Sequence, residues 1–576
     1  SAYDIGGNET KVVYDLLGRK TEISTKDGGT YYYIYDEKGN LSHTTNSRLL
    51  ADKRQVNYLY DSFNRMEKIV YPYKEPTVYE YGSPDETRKN AKGRLVRLTD
   101  SSGTVEYEYG ELGEVITETR ELTLLHDSHA EKMKEVMEYK SNYLGQMEQI
   151  KYPDGETVTY GYDDAGQVCS VEGSRNLYVE KIGYDEFGQR IYIKYGNGVE
   201  TTYKYTEETR LLESIETQKN KTRQYQNIKY SFDKVGNILG YSNDCIADAR
   251  GGNYITSQNY KYDNLYQLIA VNGNTEYRNS GATANPTFVS TYSQTYNFDS
   301  LGNMEAKYSR EKTVYNVRER LGDNLNYSLD YKIEEGYVHR YSQIGTRHYK
   351  YDEVGNVIAE REGPFAEGEE DEEYYKIDSY GNNIFGVNES WNYFTDTEER
   401  RNEQKKERIY HREYTWDEKN QLINTKDNNI EVNYVYGEDG KRTNKYTDIT
   451  ETLYFNSYWT YYIDGSTKSR GGAVSKHIFL GETRLATVIN DYRNVEDRTF
   501  GTEKNHIYFY HSDHLGSAQL VTDHNGDEYQ RLEYTPYGET WVDIKKVAVE
   551  QAPMNFMFSA KELDKETGFY YYGARY

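Results

Sequence analysis

One short phrase recurs along this chain and limits what the chain can fold into. An aromatic residue is followed by Asp, two variable residues, Gly or Asn, and then Asn, Gln or Arg. The clearest copies are Tyr35-Asp36-Glu37-Lys38-Gly39-Asn40 and Tyr351-Asp352-Glu353-Val354-Gly355-Asn356. Further copies stand at Tyr14-Asp15, Tyr60-Asp61, Tyr162-Asp163, Tyr184-Asp185 (with Gly188), Phe232-Asp233, Tyr262-Asp263, Phe298-Asp299 and Trp416-Asp417. Worn copies without the Asp occur at Tyr109-Gly110 and Tyr436-Gly437. A single Asp-x-x-Gly is ordinary turn chemistry. Repetition at related spacing marks a repeat architecture, and that overrides any domain count taken from length.

Each part of the phrase has a physical task. The aromatic ring ends a strand, where it packs on a pleated, half-buried surface. The Asp accepts a hydrogen bond from backbone two residues on and starts a turn. Gly or Asn supplies the positive φ of a tight hairpin. Each copy therefore reads as a β-hairpin tip, and the chain reads as all-β. The step from Tyr14 to Tyr35 is 21 residues, and that from Phe232 to Tyr262 is 30. Such loose spacing suits hairpins of unequal length better than a rigid solenoid.

Composition agrees. Tyr numbers 66 while the whole hydrophobic set is 36% of 576 residues, so flat amphipathic rings replace aliphatic bulk. That suits a sheet with one packed and one wet face. A net charge of −25 argues against a nucleic-acid-binding role, which needs a basic footprint. The sequence leaves open which face carries the charge, and with it whether an acidic inner wall attracts a basic cargo. Cys169 and Cys245 allow at most one disulfide and are read as two free thiols. No uninterrupted apolar run reaches ~18 residues, and no signal peptide is present. The opening Ser1-Ala2-Tyr3, without Met, reads as a processed or excised piece.

Three stretches break the pattern. Residues 120–140, from Leu122 through Met133 to Met137, lack Gly and Pro and predict a helix of roughly four turns. Residues 280–286 predict an exposed loop. Residues 363–412 predict a charged surface insertion, with an acidic run at 367–373 and a solvated helix at 398–408. Deleting 367–373 is expected to leave folding intact. The predicted organisation is a repeat shell over 1–475 and a distinct end segment over 476–576.

That end segment carries Tyr510-His511-Ser512-Asp513-His514-Leu515-Gly516-Ser517, then Glu533-Tyr534-Thr535-Pro536-Tyr537-Gly538-Glu539, then Gly568-Phe569-Tyr570-Tyr571-Tyr572-Gly573-Ala574-Arg575-Tyr576. With the repeats, these motifs resemble the RHS/YD-repeat family and its RHS-associated core. The family includes bacterial Rhs polymorphic toxins, the C components of Tc toxin complexes and the teneurins, and the resemblance covers essentially the whole chain. It implies a β-sheet strip that spirals into a hollow shell, with the core turning inward at one end. In toxin members the shell encloses a C-terminal toxin, and the core is an aspartyl autoprotease. The implied partners are that toxin cargo and a delivery or capping protein, Tc-like or from a secretion system. The implied location is secreted or at the cell surface. Family members continue past the equivalent of Tyr576 into the acidic residues of autocleavage. No catalytic residue is therefore carried over, and a shell without its autoprotease is expected. The residues named above are read as structural, in the turns and in the core.

The shell can be checked by arithmetic. At ~25 residues per hairpin the chain makes about 23 hairpins, and ~46 strands at ~4.8 Å give a strip of about 220 Å. Open sheets beyond ~10 strands curl. Closed as one ring, such a strip has a diameter near ~70 Å and encloses space. Other chemistry is thin. His506, His511, His514 and His524 cluster with Asp513 and Asp523, but on one strand His511 and His514 point to opposite faces. Hydrogen bonding within the core hairpin is the reading preferred over a metal site. No nucleotide-binding Gly-rich loop and no Gly-x-Ser-x-Gly motif occurs, so no cofactor is expected. The leading function is a toxin shell. The alternative is an extracellular adhesion or glycan-binding protein that works through its outer face.

Overall fold

The computed structural model describes residues 1–125, 131–221, 223–246, 253–278, 288–315, 322–365, 410–464, 471–492, 506–545 and 555–573. Among them, 41 strands form one open antiparallel sheet in which each strand pairs with the next along the chain. Among the described residues, helix is confined to the five residues Ser47–Ala51 and a 3-10 turn at Phe558–Ala560. A small hairpin, Glu562–Asp564 with Phe569–Tyr571, stands apart from the sheet. No described helix is long and apolar enough to cross a membrane.

The predicted helix at 120–140 is not there. Val115–Thr123 and Lys132–Ser141 are antiparallel strands, with Leu122 opposite Met133 and Arg120 opposite Glu135. The second strand has period 2: Met133, Glu135 and Met137 are buried, while Lys132, Lys134, Val136 and Glu138 are exposed. The buried Glu135 hides this alternation in the sequence, because it is polar at a packed position. Its carboxylate accepts a 2.7 Å bond from the Tyr461 hydroxyl. The loop expected at 280–286 and the runs at 367–373 and 398–408 lie outside the described residues.

The strip winds past itself, and hydrogen bonds across the winding trace its path. Arg48 reaches the Asp417 carbonyl 369 residues on, and the Tyr71 hydroxyl reaches Glu438 at a separation of 367. The separation then falls steadily. It is 325 for Tyr152 and His477, 301 for Tyr225 and Gly526, 276 for Gln258 and Tyr534, and 245 for Gln294 and Glu539. In strands, one coil shrinks from about 25 to about 16, or from ~120 Å of circumference to ~77 Å. A coil that meets its predecessor after fewer strands runs on a smaller radius. The second coil therefore ends inside the first. The single-ring diameter of ~70 Å becomes ~38 Å for the wide coil, because the strip is wound more than once.

Candidate functional site

The turns are built alike. Asp185 Oδ1 accepts from the Phe187 and Gln189 N–H groups at 3.0 and 2.8 Å, and the Gly188 N–H donates to the Asp185 carbonyl. Asp36 takes the Asn40 N–H at 2.8 Å, and Asp352 takes those of Val354 and Asn356. Gly39, Gly188 and Gly355 have φ of 92°, 77° and 87°. The aromatic residue does more than end a strand. The Tyr35 hydroxyl donates to Lys20 O, Tyr184 to Val168 O and Tyr351 to Tyr341 O, at 2.8–2.9 Å. Each acceptor is the first residue of the strand that follows an earlier turn. The Trp416 indole N–H makes the same bond to Val357 O. The repeats that carry Tyr or Trp at this position, from Tyr35 on, are thus pinned to an earlier hairpin by one side chain, while Phe232 and Phe298 have no donor for it.

A second tyrosine, two residues before the first, was missed in the sequence. The doublets Tyr33-x-Tyr35, Tyr58-x-Tyr60, Tyr79-x-Tyr81, Tyr107-x-Tyr109, Tyr203-x-Tyr205 and Tyr260-x-Tyr262 each share one sheet face, because side chains alternate along a strand. Strand register carries this face from Tyr31 opposite Ile23 to Tyr107 opposite Glu118 and on to Tyr160 opposite Val171. It is the concave face, because the inner coil packs on it through Tyr195 and Tyr230. Burial raises the Tyr79 and Tyr107 hydroxyls well above the ordinary phenol range, Tyr107 to about 12. Charge occupies the other face as exposed cross-strand pairs, such as Lys11–Glu22, Lys132–Glu121, Lys151–Glu138 and Lys194–Glu180. The inner face of the strip is therefore rich in aromatic rings, and the charges that share the face, such as Glu135, Arg347–Glu360 and Arg412–Asp427, are buried and partnered rather than forming an acidic wall.

The inner coil closes on this wall through buried polar groups. Lys476 has no exposed side-chain surface and pairs with Asp154 at 2.7 Å and with Glu156, which also accepts from the Tyr178 hydroxyl. Glu533 accepts from Tyr241 at 2.7 Å and from Tyr254 and Gln519 at 3.2 Å. Burial outweighs those bonds and the nearby Arg531, and lifts its carboxyl to about 7. Glu539 meets Lys307 at 3.0 Å and Gln294 at 3.0 Å; burial opposes its ionisation, but Lys307 and these donors hold its carboxyl below the usual range. The Trp541 indole N–H donates to Ser290, and its ring meets Tyr292 edge-on at 4.6 Å. Beyond the sheet, Arg442 binds Asp564 at 2.6 Å and Glu562 at 2.8 Å, while Lys445 binds Asp564 and Glu566.

The named core residues fall in this closure. Tyr510 lends its carbonyl to the Tyr195 hydroxyl. Buried His511 bonds Thr522 through Nε2 at 2.9 Å, and burial depresses it to about 3. Asp513 is a turn Asp, accepting from Leu515 and Ser517 N–H, with Gly516 at φ 80°. His514 reaches the Tyr230 hydroxyl at 3.2 Å, so the histidines are split between partners. Among the described residues no group of three His, Cys, Asp or Glu is placed to hold a metal ion. Pro536 and Gly538 form the turn from Thr535 to Glu539, and a Cβ on Gly538 would lie 2.8 Å from Phe558. Gly568 caps the small hairpin, Tyr570 packs on Phe558, and Gly573 has φ of 96°. Arg575 lies outside the described residues. Cys169 and Cys245 are free thiols.

The fold and its turns define a spiralling YD-repeat β-shell. No family model matches the chain. Its resemblance is to C components of Tc toxin complexes. The toxin subunit YenC1 of Yersinia entomophaga is 25% identical over 457 residues, covering 73% of this chain and 41% of YenC1. YenC2 of the same organism is 28% identical over 206 residues, covering 31% of this chain and 20% of YenC2. The crystal structure of TcdB2-TccC3 covers 99% of this chain, and this chain 27% of it, with a TM-score of 0.70 and 18% identity. The form without its hypervariable C-terminal region covers 100%, and this chain 28% of it, at the same TM-score and 17% identity. At that identity the likeness shows the shared fold. The chain spans about two fifths of YenC1's length. Both named relatives are toxin subunits, which does not favour the adhesin alternative.

Proposed function

We propose that this chain is the wall of a container that encloses a C-terminal toxin segment and shields it until delivery, outside the producing cell. Residues 1–475 serve as the wall and 476–576 as its closure. The observation that carries the reading is the falling separation across the winding, from 369 residues to 245, because a strip that tightens both encloses space and seals one end of it. The tyrosine-rich face of the first coil supports it, since aromatic faces contact a polypeptide of any sequence without selecting one charge. In this reading the described residues act mechanically and hold no catalytic role. The container works beside a second protein, as TccC3 is found with TcdB2.

Protease protection tests the reading. The chain is produced with the native segment that follows it, and a folded-state protease is added. The enclosed segment is expected to stay intact while the same segment alone is degraded within minutes. Equal degradation of both would remove the container.

A further inference from the structure

We propose that Arg484, held between the inner coil and the terminal segment at residues 555–573, is a binding site for a carboxylate. This deepens the container reading, on which the source of the ligand rests: an Asp or Glu side chain of the enclosed polypeptide, or a free acid anion. Arg484 is the second residue of the strand Thr483–Tyr492 and stands opposite Phe479 on the strand Gly471–Leu480. It is 7% exposed. Its guanidinium carbon lies 3.5 Å from the centre of the Phe556 ring and 4.7 Å from that of Phe479. Phe556 also meets the neighbouring His477 ring edge-on at 5.3 Å, so the terminal segment covers this patch of the coil. Among the described residues no carboxylate pairs with Arg484, and its Nε and Nη1 are buried without a hydrogen-bond partner. His477 is held neutral by its own burial and by the charge of Arg484. Glu562 is near enough to act on Arg484, but its oxygens already accept from Tyr454 and Arg442 at 2.8 Å.

Other arginines of this molecule show what is missing. Arg347, Arg412, Arg442 and Arg531 are comparably buried, and they meet carboxylates at 3.3, 2.9, 2.6 and 2.7 Å. Stacking on phenyl rings returns only part of the hydration that a buried cation loses. Burial accordingly pulls the Arg484 guanidinium down to about 10. Burial opposes the charge of Arg412 and Arg531 as well, but the groups around them raise theirs above the ordinary range. At 3.5 Å the Phe556 ring covers a flat face of the Arg484 guanidinium, so a ligand meets it edge-on, in its own plane. A carboxylate is flat and matches such an edge with two parallel hydrogen bonds, and it is the group that the four paired arginines take.

The experiment uses the full chain with the segment that follows it. Arg484→Lys puts an amine at the site, and a carbodiimide joins an amine to a carboxylate in contact with it. Peptide mass spectrometry is expected to find the new amine joined to an Asp or Glu of the enclosed polypeptide. The parent guanidinium does not couple and serves as the blank. Sodium formate is the second probe, exchanged for sodium chloride at fixed ionic strength. If the site draws its carboxylate from solution, formate raises the Tm of the parent in a saturable way and leaves that of Arg484→Gln unchanged, with no link to the enclosed polypeptide. Arg484→Met, which packs on the same two rings, stands in for Arg484→Gln if that variant does not fold. A new amine joined only to Glu562 or to nothing, together with equal formate responses in parent and variant, would overturn the proposal. Protease protection of the enclosed segment is read on the same samples. A chain that leaves that segment exposed but keeps its formate response loses the container and keeps the site.

Discussion

The strands Gly29–Tyr35 and Glu528–Tyr534 are both seven residues long, and their burial is the reverse of what their composition suggests. The first, with four tyrosines and an isoleucine, has no buried residue. The second, with two glutamates, a glutamine and an arginine, is buried throughout. The difference is position in the spiral. The first strand lies in the first coil, with Tyr31 reaching Asn420 of the second. The second lies between the first coil and the terminal segment, where Glu533 meets Tyr241 and Tyr534 packs on Phe558. Burial here follows winding, not hydrophobicity. The polar groups of the inner strand are tolerable because each major one has partners.

That contrast can be broken most strongly at Lys476. Lys476→Met strips Glu156 of its buried ammonium and leaves Asp154 to Arg175 at 3.5 Å, and a loss of about 3–5 kcal/mol is expected in denaturant titration. Lys11→Met removes an exposed pair on the outer face and should leave the midpoint unchanged. The next effect concerns pH. The Glu533 carboxyl titrates at about 7 in the fold against 4.5 when unfolded. Between those values the folded state holds a proton that the unfolded state has lost, so stability falls as pH rises through the window. The total is about 3 kcal/mol, and Glu533→Gln should flatten that slope. An equally steep profile in the variant would assign the dependence elsewhere.

Glycines at one repeat position sharpen the comparison further. Gly355→Val introduces both a strained φ and a clash with Asp27 O, and a loss of about 2–3 kcal/mol is expected. Gly18→Val has the same strain with nothing within 4 Å, and about 1–2 kcal/mol is expected. Equal melting shifts would show that the winding contact adds nothing. The smallest effect has the opposite sign. Tyr266 holds the turn position with φ of 64°, where the other turns that start with Asp place Gly or Asn. Tyr266→Gly should raise stability by about 1 kcal/mol.

The turns were legible because their chemistry is local. Asp185 bonds residues two and four ahead, so six letters contain the whole device. The strand Lys132–Ser141 was misread because the absence of Gly and Pro was weighed above the alternation of Met133, Glu135 and Met137. The pinning hydroxyls had a sequence signal that went unused, since Tyr35 and its acceptor Lys20 are 15 residues apart and the spacing recurs at Tyr81 and Met66. The second tyrosine of each doublet was equally visible. The winding contacts were not. Lys476 finds Asp154 across 322 residues, and nothing near either position announces the other. The side on which the charge lies also needed register, because one residue of slip reverses every strand's faces.

The bond from each tyrosine to an earlier hairpin also gives the fold an order in time. A hairpin in the first coil needs only its immediate neighbours, so the wide ribbon can grow from the N-terminal end as synthesis proceeds. The inner coil is different, because its partners lie hundreds of residues back and loop closure must precede any reward. Contact order therefore makes the docking of Glu528–Tyr534 and its neighbours onto the first coil the step expected to be slowest. Until then the inner strands lack the partners they are buried against, and afterwards the two coils hold each other in place.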